Sequence, residues 1–233
     1  MRLLIAIVPA LLFLLPATGV AQEEKGKPIT CRFISLGNDR PPELLNIGDK
    51  DFEAKVKMRA GLISQEVQCM MMGNKLSFIS ADDRKPAAEA AIPDGIGEAI
   101  LVFARAPKGG KNKLPWRIFV IEDSPKKFPN GGAHVANFHG GNLRFVIGEQ
   151  KLGLKAGGSR GVDRPEKRDD FNMAPVIFQF EGKDGKWTTA SETRLRFAPG
   201  LRYLMLAYVD PQTGRPRITP VKDFKQHAPE EGG

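Results

Sequence analysis

Apolar and polar residues alternate with a period of two along most of the chain, in short runs bounded by Gly, Pro, Asn and Asp. In the first half this alternation predicts strands over residues 29–36, 52–58, 67–71, 75–80 and 99–106. The alanine-rich residues 87–91, between Pro86 and Pro93, predict about one turn of helix. Segment 107–115 is polar, basic and glycine-rich, as a linker or a long hairpin loop would be, and the domain boundary is expected there. Further strands are predicted over 116–122, 133–138, 143–147, 151–154, 176–180, 187–197, 203–209 and 217–221. Asp184-Gly185, between two of these runs, is the strongest hairpin signal in the chain. Meander-like antiparallel order without crossover helices predicts an all-β protein of two tandem antiparallel β-sandwich (Ig-like) domains. They are expected at residues 28–106 and 116–224, with a disordered tail over 225–233.

Composition supports short segments, because 18 Pro and 25 Gly among 233 residues leave little room for long helices. Hydrophobic residues at 41% and charged residues at 27% exclude disorder, collagen and a polytopic membrane protein. Residues 1–21 read as a secretory signal peptide: Arg2 is the positive start, an apolar stretch follows to Leu15, and Pro16 precedes small residues up to Ala21. No later stretch is long and apolar enough to span a bilayer, so the mature chain is expected to be exported, to the periplasm or outside the cell.

Cys31 and Cys69 are the only cysteines. Each alternates with apolar neighbours and would point to the apolar face of a strand. In an oxidising compartment the pair is a disulfide candidate. Two reduced, buried thiols are the alternative.

The run Phe128-Pro-Asn-Gly-Gly-Ala-His-Val-Ala-Asn-Phe138, followed by Leu143-Arg-Phe-Val-Ile-Gly148 and Leu154-Lys-Ala-Gly157, resembles the strands and turns of uncharacterised secreted tandem β-sandwich proteins of bacterial envelopes. The resemblance implies fold and compartment, and carries over no catalytic residue.

Candidate chemistry is sparse. Gly157-Gly-Ser159-Arg-Gly161 spells a nucleophile elbow, with Asp169, Asp170 and His227 downstream in hydrolase order. Pro165 and the lack of apolar periodicity after the motif argue for a glycine turn instead. His134 and His139 are five residues apart, in a strand and a turn, and no third ligand accompanies them. The sulfurs of Cys69-Met-Met-Met72 do not converge on one face of a strand. No metal and no cofactor are expected.

Charge is the one global signal, at +8 overall. It is densest where Lys151, Lys155, Arg160, Arg164, Lys167 and Arg168 face only Asp163 and Glu166. Such a segment suits an acidic polysaccharide or another polyanion. Nucleic acid is not expected, since there is no helix for a groove and few aromatics interleave with the charge. The sequence therefore leads to a non-catalytic exported β-sandwich protein, a structural or binding component of the bacterial envelope that contacts an acidic polymer or another envelope protein. An envelope hydrolase of carbohydrate or ester using Ser159 is the alternative.

Overall fold

The computed structural model describes residues 25–37, 39–49, 51–59, 61–106, 113–210 and 213–224. The expected signal peptide, the tail 225–233 and most of the segment 107–115 lie outside the described residues.

The described residues contain strands and no helix. The first eight strands are β1 (Lys27–Ser35), β2 (Leu44–Ile47), β3 (Glu53–Val56), β4 (Val67–Met71), β5 (Lys75–Ser80), β6 (Pro86–Ala91), β7 (Glu98–Arg105) and β8 (Trp116–Glu122). They form two four-stranded sheets ordered β4-β1-β7-β8 and β3-β2-β5-β6. The second eight are β9 (Ala133–Asn137), β10 (Leu143–Ile147), β11 (Gln150–Leu154), β12 (Ser159–Val162), β13 (Met173–Glu181), β14 (Trp187–Arg196), β15 (Arg202–Val209) and β16 (Pro216–Asp223). Their sheets are ordered β12-β9-β15-β16 and β11-β10-β13-β14. The second set repeats the first strand for strand, with each number raised by eight.

Side-chain alternation explains why these sheets stack. Cys31 and Phe33 of β1, with Leu101 and Phe103 of β7, join Leu44, Leu76 and Phe78 of the facing sheet in one core. Phe78 lies edge-on to Phe33 and Phe103, at centroid distances of 6.1 and 5.4 Å. The second sandwich closes in the same way, with Val135 and Met205 opposite Phe145 and Phe178. The intervening residues of the central strands point the other way: Ile34, Ile100 and Val102 meet Ala136, Leu204 and Leu206 in a third core between the sandwiches. Strands β1, β7, β9 and β15 are thus covered on both faces, which accounts for the continuous apolar runs of β7 and β15 and for the burial of polar residues such as Arg32, His134 and Asn137 in β1 and β9.

A buried charge cluster crosses the third core. Arg32 pairs with Asp123, at 3.2 Å, and with Asp223. Arg202, fully buried, pairs with the same two carboxylates, stacks 3.9 Å above the Phe128 ring and donates to the Phe128 carbonyl. Asp123 directly follows β8 and Asp223 ends β16, the last strands of the two sandwiches, so the cluster ties both halves together with two cations against two anions.

Several expectations change. The predicted helix at 87–91 is β6, paired antiparallel with β5, and its buried alanines allow close approach of the sheets. Antiparallel order is incomplete, because β1 pairs β7 and β9 pairs β15 in parallel. Parallel insertion of β1 between β4 and β7 also makes the strand order depart from the ABED and CFG order of an immunoglobulin constant-type sandwich. Strand β8 completes the sheet of β7, so the change of sandwich falls after Glu122 and the segment 107–115 joins two strands of one sheet.

The disulfide is not formed: Cys31 and Cys69 are both free and buried. The pairing gives the reason. Ile29 lies opposite Cys69 and Cys31 opposite Val67, so the cysteines are diagonal neighbours. Diagonal pairs sit roughly 7–8 Å apart, beyond the separation of about 7 Å that a disulfide tolerates. The hydrogen bond with Cys69, and then burial, push the Cys31 thiol up.

Candidate binding surface

The six basic residues proposed from sequence come to one edge of the second sandwich. Strand β11 is the edge of its outer sheet and β12 the edge of its inner sheet, and a short turn at Gly157 joins them. Asn137, fully buried at the end of β9, fixes this turn. Its Nδ2 donates to the Gly141 and Lys155 carbonyls, both at 3.0 Å. The Glu149 carboxylate at the β10–β11 turn accepts the backbone N–H groups of Glu166, at 3.0 Å, and Lys167, at 3.1 Å. The Glu166 hydrogen bond in particular holds the Glu149 carboxyl below the usual range despite some desolvation. Gln150 donates to the Asp163 carbonyl at 3.1 Å, and Pro165 is buried against Gly148. The basic segment is therefore part strand, as expected over 151–154, and part strapped connection, with β12 as a strand where a glycine turn was expected.

Lys151 on β11 and Lys155 just after it are exposed, as are Arg160, Arg164 and Lys167. Arg168 is half-buried, and its Nε is sealed from solvent with no hydrogen-bond partner. Among the described residues none of the six makes an ion pair, whereas Lys57, Arg84, Lys186, Arg194 and Arg217 each face a carboxylate. The edge thus presents an excess of positive charge, with Asp163 and Glu166 also exposed on it and the Glu149 carboxylate near Lys167.

Ser159 opens β12 opposite Ala136, in an extended strand where a nucleophile elbow needs a sharp turn into a helix. Asp169 is committed elsewhere: it accepts the Met173 N–H at 2.8 Å and pairs with Arg194 at 2.8 Å. These bonds, that of Met173 foremost, hold its carboxyl below the usual range. His227 lies outside the described residues. Ser159 instead borders a crevice of about 380 Å³ between the sandwiches, lined also by Glu122, Lys126, Lys127, His134 and Arg160.

His134 occupies the position in the second sandwich that Arg32 occupies in the first, by strand register. Its Nδ1 meets the Lys127 carbonyl at 2.6 Å, so Nδ1 carries the proton and donates. Burial pushes its pKa down, and the ring is neutral, with Nε2 unpartnered among the described residues. His139 accepts the Gly141 N–H at 3.0 Å and abuts Phe180. No three His, Cys, Asp or Glu side chains among the described residues gather in a metal-binding group.

One surface residue was missed from sequence. Arg144 of β10 projects outward beside β11, its guanidinium 4.4 Å above the Trp187 ring and its Nε donating to Gln179 Oε1 at 2.6 Å. The alternation of 143–147, with apolar Leu143, Phe145 and Ile147 inward, already places Arg144 on the solvent face. What sequence could not supply was its neighbours on β13 and β14. No family model matches the chain, and no curated protein matches its sequence.

Proposed function

We propose that the protein is an exported, non-catalytic binding component of the bacterial envelope that holds an acidic polymer along the β11–β12 edge. The observation that carries this reading is the excess of exposed cations along that edge, where Lys151, Lys155, Arg160 and Arg164 make no ion pair among the described residues, on a frame fixed by Glu149, Gln150 and Asn137. Charges of this kind attract a polyanion over about 8 Å at physiological ionic strength and cost little to desolvate at the surface. Rigid strands beneath them reduce the ordering that binding would require. The two-sandwich body offers the edge without contributing chemistry.

The test is titration with dextran sulfate, a polyanion without carboxylates, at rising salt. The parent should bind, and binding should weaken steeply with salt. Replacing Lys155, Arg160 and Lys167 by Ser should reduce affinity at least about fivefold, with the melting temperature held, since isolated surface substitutions change stability by less than about 0.5 kcal/mol. Lack of salt-sensitive binding by the parent, or unchanged binding by the triple variant, would make the edge a solvated face only.

A further inference from the structure

A shallow depression of about 440 Å³ lies on the solvent face of the outer sheet, lined by Arg144, Val146, Lys151, Gly153, Ile177 and Gln179. Strand register arranges these residues in two rungs. Gly153, Arg144 and Gln179 are directly opposed across β11, β10 and β13; one rung along, Lys151, Val146 and Ile177 are opposed in the same way. Half-buried Val146 and Ile177 form an apolar floor, and Gly153, on the edge strand β11, leaves the outer side open. A side chain there would have room, since the nearest atom to an added Cβ is the Leu143 carbonyl at 3.7 Å. The lack of a side chain at Gly153, and no steric demand, makes the hollow.

Its polar rim is built. The Arg144 guanidinium is held by its place over the Trp187 ring and by the Gln179 bond, while Gln179 Nε2 is itself anchored to Thr189 Oγ1 at 3.0 Å. No carboxylate lines the depression. Glu181, on the adjoining rung, already accepts from Asn142 Nδ2 at 2.6 Å, and Arg144 has no ion pair among the described residues. A guanidinium and a lysine lining one depression suit a carboxylate, and an apolar floor next to an amide suits a ring with one non-polar face and hydroxyl edges. Volumes of roughly 300–1,000 Å³ are usual for small-molecule sites.

We infer that this depression binds a carboxylate-bearing pyranose, a uronic acid residue of an acidic polysaccharide, with the carboxylate on Arg144 and Lys151 and the ring face over Val146, Gly153 and Ile177. The inference rests on the proposed polyanion function and names the class of polymer. A sheet face offers no free backbone N–H or C=O groups to an extended peptide, which favours a sugar over an acidic peptide. Lys155, exposed directly after β11, extends the cationic track from Lys151 along the edge.

The experiment compares polygalacturonate, its methyl ester and dextran sulfate on the parent, Arg144→Gln and Gly153→Val. The parent should prefer polygalacturonate to the ester by about tenfold or more. Arg144→Gln removes the guanidinium and Gly153→Val fills the hollow without changing charge; each should lose about tenfold for polygalacturonate and keep dextran sulfate binding within about twofold. Circular dichroism and melting identify a variant that fails to fold, in which case the other decides. Equal binding of acid and ester by the parent, or unchanged polygalacturonate binding in the folded variants, overturns the uronate site. If dextran sulfate binding still falls in the Lys155, Arg160 and Lys167 variant, the polyanion function survives that failure; if the parent binds neither charged polymer, both readings fall.

Discussion

At the residue scale the strongest constraint is the cluster of Arg32, Arg202, Asp123 and Asp223. A buried pair gains little over an apolar replacement of both partners, but removal of one partner strands the others and costs about 3–5 kcal/mol. Arg202→Met should therefore lower stability in urea by about that amount; a loss under 1 kcal/mol would mean that the cluster is open to water. Burial works to raise the Asp223 carboxyl, yet the hydrogen bond and charge of Arg32, together with Arg202, outweigh it and hold the group below its usual value. With the folded value depressed, the stabilisation is fully present above about pH 4, the ordinary carboxylate range. It is lost as the pH falls through the lowered folded value. Asp223→Asn should be less stable than the parent at pH 7 and should lose less stability between pH 5 and pH 3. A parent whose stability is flat over that interval would contradict the assignment.

At the element scale, pairing decides what side-chain patterns leave open. The alternation around Cys31 and Cys69 places both in the core, but only the β1–β4 register sets them diagonally, and a shift of two residues would bring them face to face. Alkylation without reductant should leave the native protein unmodified and add two groups after denaturation, read by intact mass; a denatured chain that takes none would mean a disulfide. The same limit explains the other misreadings. Alanine's preference for helix is a weak prior, and at 87–91 a neighbouring strand and facing core override it. The short strands β2 and β12 carry too few alternations to stand out, and β12 is further masked by its glycines. Most other strands were legible because a face is buried and the period of two follows directly. Of the surface, the cations of 151–168 were legible as charge. Their meeting with Arg144, Gln179 and Trp187 depends on which strands are neighbours, as in the parallel joining of β1 to β7, and the local pattern does not encode it.

At the scale of the whole molecule, the relation between the halves follows from which faces are apolar. The uninterrupted apolar stretches Ala99–Phe103 and Tyr203–Tyr208 have no outward polar set, so each inner sheet needs a cover on its second face. Each covers the other. The repeat is faintly visible once the register is known: Arg117-Ile-Phe-Val-Ile-Glu-Asp123 and Arg217-Ile-Thr-Pro-Val-Lys-Asp223 occupy corresponding strands and end in the two carboxylates of the cluster. Cleavage within 108–113 therefore does not separate two domains. It parts β7 from β8, leaving Trp116, a member of the first core, on the wrong fragment, while the third core and the four charges still bridge the cut. A chain nicked there should elute from a sizing column as one particle and unfold in a single transition, and residues 1–107 expressed alone should not unfold cooperatively. The third core makes the same demand of the intact chain, for exposing Ile100, Val102, Leu204 and Leu206 together would leave a large apolar patch on each half. Two separated thermal transitions, or a well-folded fragment 1–107, would show that the sandwiches stand independently and that their contact adds little.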